Sequence, residues 1–188
     1  VSEHRYEHSL LIAAPADLVV QFFKDGEAWF RLNPEWEVVA LDKTGDIQRL
    51  KVRYERSEQE AEYCRPASAD FWQGGGTITL AGDPARTIAL TLSPLSETQT
   101  RLDWSETFPE PIEPARRAEL NLWGDAAAGY LAFAARKDRR ARLARWLLDR
   151  FWLRMTPTAR RVGLLIIGME GLALLLFIAI VIIYRLIG

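Results

Sequence analysis

Residues Val162 to Tyr184 read VGLLIIGMEGLALLLFIAIVIIY, a run of 23 with one charged side chain, Glu170. At about 1.5 Å of rise per residue a helix of this length covers about 34 Å, and the hydrocarbon core of a bilayer is about 30 Å thick. Lipid offers the backbone no hydrogen-bond partner, so a helix that satisfies its own N–H and C=O groups is the conformation it permits. A core helix of a soluble protein seldom runs so far without a polar face. The chain is therefore expected to cross a membrane once, with residues 162–184 as the transmembrane helix and 185–188 as a short far-side tail.

The residues just ahead of this run set its orientation. Between 136 and 161 stand ten Lys/Arg against Asp138 and Asp149, a net charge of +8. Glu170 and Arg185 cancel in the tail, so residues 1–135 carry −9 of an overall −1. Basic flanks of a span stay in the cytoplasm. The N-terminal part is thus expected to be cytoplasmic, on a single-pass protein of the cell (inner) membrane, with Arg185 snorkelling to the far headgroups. The single cysteine, Cys64, cannot form an internal disulfide, which agrees with a reducing compartment. No apolar stretch opens the chain, so no signal peptide is expected, and Val1 reads as a chain without its initiator Met.

Within the basic segment, Leu143, Leu147, Phe151 and Met155 repeat at i+4, with Trp146, Leu148, Trp152 and Leu153 close by. Arg142, Arg145, Arg150 and Arg154 lie among them. A basic helix with aromatic and leucine contacts suits an interface of anionic lipid, where each arginine is attracted by about 1 kcal/mol. A helix docked on a protein partner has the same pattern. The membrane accounts for the arginines, so no nucleic acid is expected.

Glu170 sits in Gly168-Met169-Glu170-Gly171, with Gly163 earlier on the same run. An acid within a span is costly, by about 2.5–3.5 kcal/mol on insertion scales, and usually marks a site or a partner. Small residues let another helix approach, and a polar group then bonds across the contact. Packing against integral membrane subunits is the expectation; a protonated Glu170 facing lipid near one leaflet is the alternative.

Upstream of the basic segment the pattern is that of a folded domain. His4 to Ile12 reads as a strand, and Ala13 to Asp17 as a stop followed by a helix start. Leu18, Val19, Phe22 and Phe23 have helical spacing, and a second short helix holds Ala28, Trp29, Phe30 and Leu32. From Trp36 the period becomes two: Leu50, Val52, Tyr54; Ile78, Leu80; Ile88, Leu90, Leu92; Leu102, Trp104, Phe108. This predicts an antiparallel sheet with one wet and one dry face. Turns are expected at Thr44-Gly45-Asp46, Gly74-Gly75-Gly76, Gly82-Asp83-Pro84 and from Ser93-Pro94 to Glu97. A long helix should begin at about Ala115, with Leu122, Ala126, Tyr130 and Phe133 on one face and Trp123 and Ala127 beside them. One dry sheet face and one long helix to cover it make a two-layer α+β domain.

Ala14-Pro15-Ala16-Asp17-Leu18-Val19, then Asp25-Gly26-Glu27-Ala28-Trp29, then Asn33-Pro34-Glu35-Trp36, resembles the opening of the START-like, or SRPBCC, superfamily of polyketide cyclase and coenzyme-Q-binding-type proteins. The resemblance covers about residues 4–135. It implies a helix grip, a curved antiparallel sheet wrapped on a long C-terminal helix around a cavity for apolar ligands such as lipids, sterols, polyketides or quinones. The family has no universal catalytic residue, and some members are enzymes. The organisation expected is a START-like cytoplasmic domain over 1–135, a basic amphipathic juxtamembrane segment over 136–161, and the span.

Candidate site residues are few. Glu106 is in phase with Leu102, Trp104 and Phe108 on the predicted dry face, where a carboxylate must be paired, protonated or beside a cavity. A bulge or the strand end near Pro109 turning it to solvent is the preferred reading, and a ligand contact the other. Tyr54, Trp104 and Tyr130 join Glu106 as pocket candidates, with plain core packing preferred for Tyr54 and Trp104. His4 and His8 share a strand face but lack a third ligand, so no metal is expected. Cys64 has no assignable base, and no Ser/His/Asp set exists with both histidines in the first eight residues. The triple glycine precedes a strand rather than a helix, so it is no phosphate loop. No cofactor is implied. The expected role is a non-catalytic accessory or stabilising subunit of a larger integral membrane complex, with a respiratory or photosynthetic host as the guess. The alternative is a membrane-tethered binding or transfer protein for a lipid, quinone or other apolar ligand.

Overall fold

Among the described residues, seven antiparallel strands and one long helix build the N-terminal head. The computed structural model describes residues 4–66, 74–82 and 85–187. In chain order these are β1 (His4–Ile12), α1 (Ala16–Asp25), α2 (Glu27–Arg31), β2 (Trp36–Thr44), β3 (Ile47–Tyr54), β4 (Glu60–Pro66), β5 (Gly75–Leu80), β6 (Arg86–Ser96), β7 (Gln99–Phe108) and α3 (Pro114–Ala134). After the head come α4 (Arg139–Arg150), a 3-10 turn (Trp152–Arg154) and α5 (Pro157–Ile187). Val1, Asp83 and Pro84 of the expected turn, and Gly188 lie outside the described residues.

Strand order is β1-β7-β6-β5 in one sheet and β2-β3-β4 in the other. Cys64 and Ala81 exchange two backbone hydrogen bonds of 2.8 Å, which join β4 to the end of β5. The result is one curved surface. Its concave side carries the alternating residues read from the sequence: Leu50 and Val52, Ile78 and Leu80, Ile88, Leu90 and Leu92, Leu102 and Trp104 are all buried. The two-residue turn Gly45-Asp46 closes the β2–β3 hairpin, as expected.

Three local expectations are corrected. The stretch from Ser93 to Glu97 is not a turn at its start: β6 runs on to Ser96, and Pro94 is accommodated at a register shift between Pro94 and Ser96. A proline at a bulge takes no ladder hydrogen bond away. The triple glycine is not a hairpin turn either. Gly75 and Gly76 pair with Thr91 and Leu90 inside the sheet. Gly75 has φ +115°, and a Cβ there would collide with the Leu90 carbonyl oxygen, so glycine is required by close backbone approach.

The third correction concerns α3. Its buried face is Leu120, Trp123, Gly124, Ala127 and Leu131, while Leu122 is exposed and Ala126, Tyr130 and Phe133 are only partly covered. The helix is rotated from the expected stripe because Trp123 offers the larger apolar surface to bury. Gly124 permits the contact: a side chain there would press into Leu10 and His8 of β1.

α5 begins at Pro157, five residues before the apolar run, and its apolar residues are exposed. By length and composition, Pro157–Ile183 is the one candidate for a membrane span among the described residues. The head holds the root of this helix. Glu55 accepts hydrogen bonds from the Thr158 backbone N–H at 2.6 Å and from Thr158 Oγ1 at 3.0 Å. Arg161 donates to the Pro34 carbonyl at 3.1 Å. At Gly163, where close approach of a second transmembrane helix is expected, the Trp152 ring of the same chain lies 3.5 Å from where a Cβ would stand.

Candidate functional site

The interior of the grip is filled with aromatic side chains. Trp29 and Trp123 stack with ring centroids 4.6 Å apart and planes 11° from parallel. Trp104 meets Trp123 edge-on at 5.0 Å, and Trp36 meets it at 5.6 Å. All four are essentially inaccessible to solvent. Two of the indoles are tied to backbone, Trp36 to the Phe30 carbonyl at 3.0 Å and Trp123 to the Trp29 carbonyl at 2.8 Å. The short α2 supplies both acceptors, so it locks the stack in place. Tyr6, Phe23 and Phe30 complete the cluster.

At the open end of the grip the chemistry becomes ionic. Glu106 stands beside Tyr6 on one neighbouring strand and Ile88 on the other, still in phase with the inner face. The preferred reading that it turns to solvent is therefore wrong. No bulge falls near it, so the alternation that began at Leu102 persists and the carboxylate is 2 % exposed. Its partner is Arg86, which donates from Nε to Oε1 at 2.6 Å and from Nη2 to Oε2 at 3.0 Å. The same guanidinium lies 5.4 Å from the Trp36 ring and 5.5 Å from the Trp123 ring. Burial works against the charge on Arg86, and the Glu106 carboxylate outweighs it, so the proton is held more firmly than usual. The pair thus caps the tryptophan cluster.

Above the cap is a cavity of about 690 Å³, lined by Tyr54, Arg86, Glu106, Phe108, Ile112 and Arg116 among others. A smaller one of about 280 Å³ adjoins Glu35, Glu55, Arg116, Glu119 and Arg161. Glu35 forms a close ion pair with Arg116 and lies 3.9 Å from Arg86 Nη1. Burial pushes the Glu35 carboxyl up to about 7; Arg116 and Arg86 pull it down by less. The Tyr54 and Tyr63 hydroxyls share a 2.6 Å hydrogen bond, and burial with that bond raises the Tyr54 phenol.

Of the four pocket candidates, the structure brings Tyr54 and Glu106 together at this mouth. Trp104 lies below it in the packed stack. Tyr130 is elsewhere: its hydroxyl donates to Asp149 of α4 at 2.8 Å, and its ring packs on Phe22. Sequence reasoning missed Arg86, Glu35 and Arg116. Arg86 left a signal, because it is in phase with Ile88, Leu90 and Leu92 on the dry face. Glu35 and Arg116 follow no period. His8 stands 3.6 Å from Asp125, and among the described residues no group of three potential metal ligands occurs.

No family model and no curated protein matches the sequence. Solved structures do match the fold. A START superfamily protein from Mycobacterium smegmatis aligns with TM-score 0.50 and 20 % identity over 68 % of this chain and 97 % of its own. Norcoclaurine synthase from Thalictrum flavum, solved with dopamine and hydroxybenzaldehyde, aligns with TM-score 0.51 and 15 % identity over 73 % and 90 %. The Zhui aromatase/cyclase from Streptomyces sp. R1128 has TM-score 0.48 and 15 % identity over 71 % and 94 %. The expectation that the chain is not an enzyme is corrected here. Norcoclaurine synthase shares this architecture, so a missing Ser/His/Asp set does not exclude catalysis. The head of this chain has the START-like helix-grip fold, α+β, with antiparallel strands closed on a long C-terminal helix.

Proposed function

We propose that this protein is an accessory or stabilising subunit of a larger integral membrane complex, anchored by α5 with its head at the cytoplasmic face. The observation that carries the reading is the filled grip. Where an apolar ligand would lie, Trp29, Trp36, Trp104 and Trp123 occupy the space, and Arg86–Glu106 caps them. A head packed in this way works through its surfaces. The −9 of residues 1–135 and the positive segment after them offer two such surfaces of opposite sign. Glu170, with Gly168 and Gly171 beside it, supplies the polar contact inside the bilayer. The test is native mass spectrometry of the particle released by mild detergent, with Glu170→Leu as the perturbation. A stoichiometric membrane partner, lost or weakened in the variant, supports the reading; a lone chain from both preparations ends it.

A second reading is favoured by the cavity above the cap. Its volume of about 690 Å³ falls in the range of small-molecule sites, and its walls mix Phe108 and Ile112 with Arg86, Arg116 and Tyr54. A tethered binding or transfer protein for an amphiphile would use that mouth rather than the grip interior. Lipid or quinone co-purifying with the native chain and lost in Ile112→Glu distinguishes it from the first.

A further inference from the structure

We propose that the outer face of α4 is a second membrane contact, lying in the headgroup layer of an anionic leaflet and holding the head down beside its span. The inference rests on α5 crossing the bilayer, and it goes beyond either function above because it needs no protein partner and no ligand.

α4 has two faces of different fate. Ala141 is buried and Ala144 and Leu148 are half-covered, facing the head. Leu143, Trp146 and Leu147 point outward at spacing i, i+3 and i+4, and Phe151 continues the stripe at i+8. Leu143 is 61 %, Trp146 55 % and Phe151 53 % exposed. Large apolar side chains clustered this way on one helix face mark an interaction surface.

The identity of what covers it follows from continuity with α5. Trp152 lies against Gly163, on the second turn of α5 and one residue into the apolar run. Its ring is therefore at the depth where hydrocarbon gives way to headgroups, the layer in which tryptophan is enriched. Phe151 is its chain neighbour, and Phe151 meets Trp146 edge-on at 5.9 Å. The aromatic path from Gly163 through Trp152 and Phe151 to Trp146 leads from the span onto the outer face of α4 without a break. The face is thus carried at interface depth.

Charge selects the lipid. Arg139, Arg140, Arg142, Arg150 and Arg154 are exposed, and among the described residues none has a carboxylate within 4.0 Å. Three of the collar's other arginines are used by the protein: Arg136 pairs with Asp138, Arg145 reaches the Ala134 carbonyl, and Arg161 holds Pro34 and Glu55; the fourth, Arg160, is half-buried with its Nε unpartnered. Five unpaired guanidinium groups around an apolar stripe match a surface that is oily below and negative above. The helix is held at a fixed height by Asp138, whose carboxylate caps it through Ala141 N–H at 3.2 Å, and by the Tyr130–Asp149 hydrogen bond of 2.8 Å to α3.

The experiment uses the full chain with Cys64→Ser, one new cysteine at Leu147 carrying an environment-sensitive fluorophore, and a control cysteine at the exposed Leu95 of the β6–β7 hairpin. Each is placed in nanodiscs of phosphatidylcholine alone or with phosphatidylglycerol. The expected result is quenching of the Leu147 label by a lipid-tethered nitroxide and protection from aqueous iodide, strongest with phosphatidylglycerol, while the Leu95 label behaves oppositely. Arg142→Gln should lower the ratio of lipid-buried to water-exposed label about fivefold in the anionic discs. A Leu147 label open to iodide in both lipids overturns the proposal. Protection found only in native membranes, and not in protein-free lipid, gives the face to a protein and overturns it too. Failure of the chain to enter nanodiscs removes the span on which the inference rests, and is distinguishable from the other results by the absence of any lipid quenching at a probe on α5.

Discussion

Arg86 closes the grip by binding Glu106 through two nitrogens while lying over the rings of Trp36 and Trp123. Both charges are almost fully buried, so each depends on the other for the solvation that water would supply. Arg86→Met removes the cation and leaves Glu106 unpaired in an apolar setting. Loss of about 3–5 kcal/mol in unfolding free energy is expected for this single change, measured by denaturant titration in mild detergent. The double variant Arg86→Met, Glu106→Leu should recover most of that loss, because no orphan charge remains. A double variant as unstable as the single one would show that the pair does more than neutralise itself.

The tryptophan stack makes a second, sharper forecast. Trp123 touches Trp29, Trp36 and Trp104, so its removal empties the centre of the grip. Trp123→Ala should cost about 3–5 kcal/mol. The cavity left is apolar, and it should take up a solvatochromic dye or a small aromatic that the parent head excludes. Equal dye uptake by parent and variant would mean that the parent interior is already open, and would favour ligand carriage over a packed support.

Glu35 predicts a pH dependence with a definite sign. Its carboxyl titrates at about 7 when folded, raised by burial from an ordinary value of 4.5. The folded state therefore holds this proton more tightly than the unfolded chain does. Stability from the protonated group is fully present below pH 4.5 and is lost as pH rises to about 7. The fall across that window should be about 2–3 kcal/mol, since one pK unit corresponds to about 1.4 kcal/mol. Glu35→Gln cannot ionise and should flatten this part of the profile. Thermal unfolding of both forms from pH 4 to pH 8 reads the difference; parallel curves would refute the assignment.

Much of the architecture is legible in the sequence. The dry-face alternation at Leu50, Val52, Ile88, Leu90 and Leu102 survives intact because burial on one side fixes strand phase. Glu106 shows how far that logic reaches: trusting the phase places it inward, and doubting it because of Pro109 gives the wrong answer. The α3 face departs from its spacing for another reason. Small and aromatic residues surround it on several sides, so spacing alone does not choose between Leu122 and Trp123, and contact with β1 through Gly124 decides. The mouth was least legible. Glu35 and Arg116 come from a loop and a helix start, and only tertiary folding brings them beside Arg86. The strand β4 also escaped notice, its alternation hidden by Glu60, Glu62 and Arg65.

The last forecast concerns the joint between the head and α5. Glu55 lies on the β3–β4 turn and receives both the backbone N–H and the hydroxyl of Thr158, in the first turn of α5. A helix start leaves its first N–H groups without intrahelical partners, and a carboxylate there satisfies one and opposes the positive end of the helix dipole. Glu55 also lies 3.8 Å from Arg161, which itself holds the Pro34 carbonyl. Glu55→Ala should therefore fray the root of α5, at a cost of about 1 kcal/mol. The packed interior of the head is untouched by the change, so global unfolding should move little. Hydrogen exchange is the discriminating readout: faster exchange at Thr158 to Arg161, with β6 and β7 unchanged, marks a joint that fixes how the head stands on α5. Unchanged exchange at those four residues would mean that the Glu55 contact does not hold the first turn of α5.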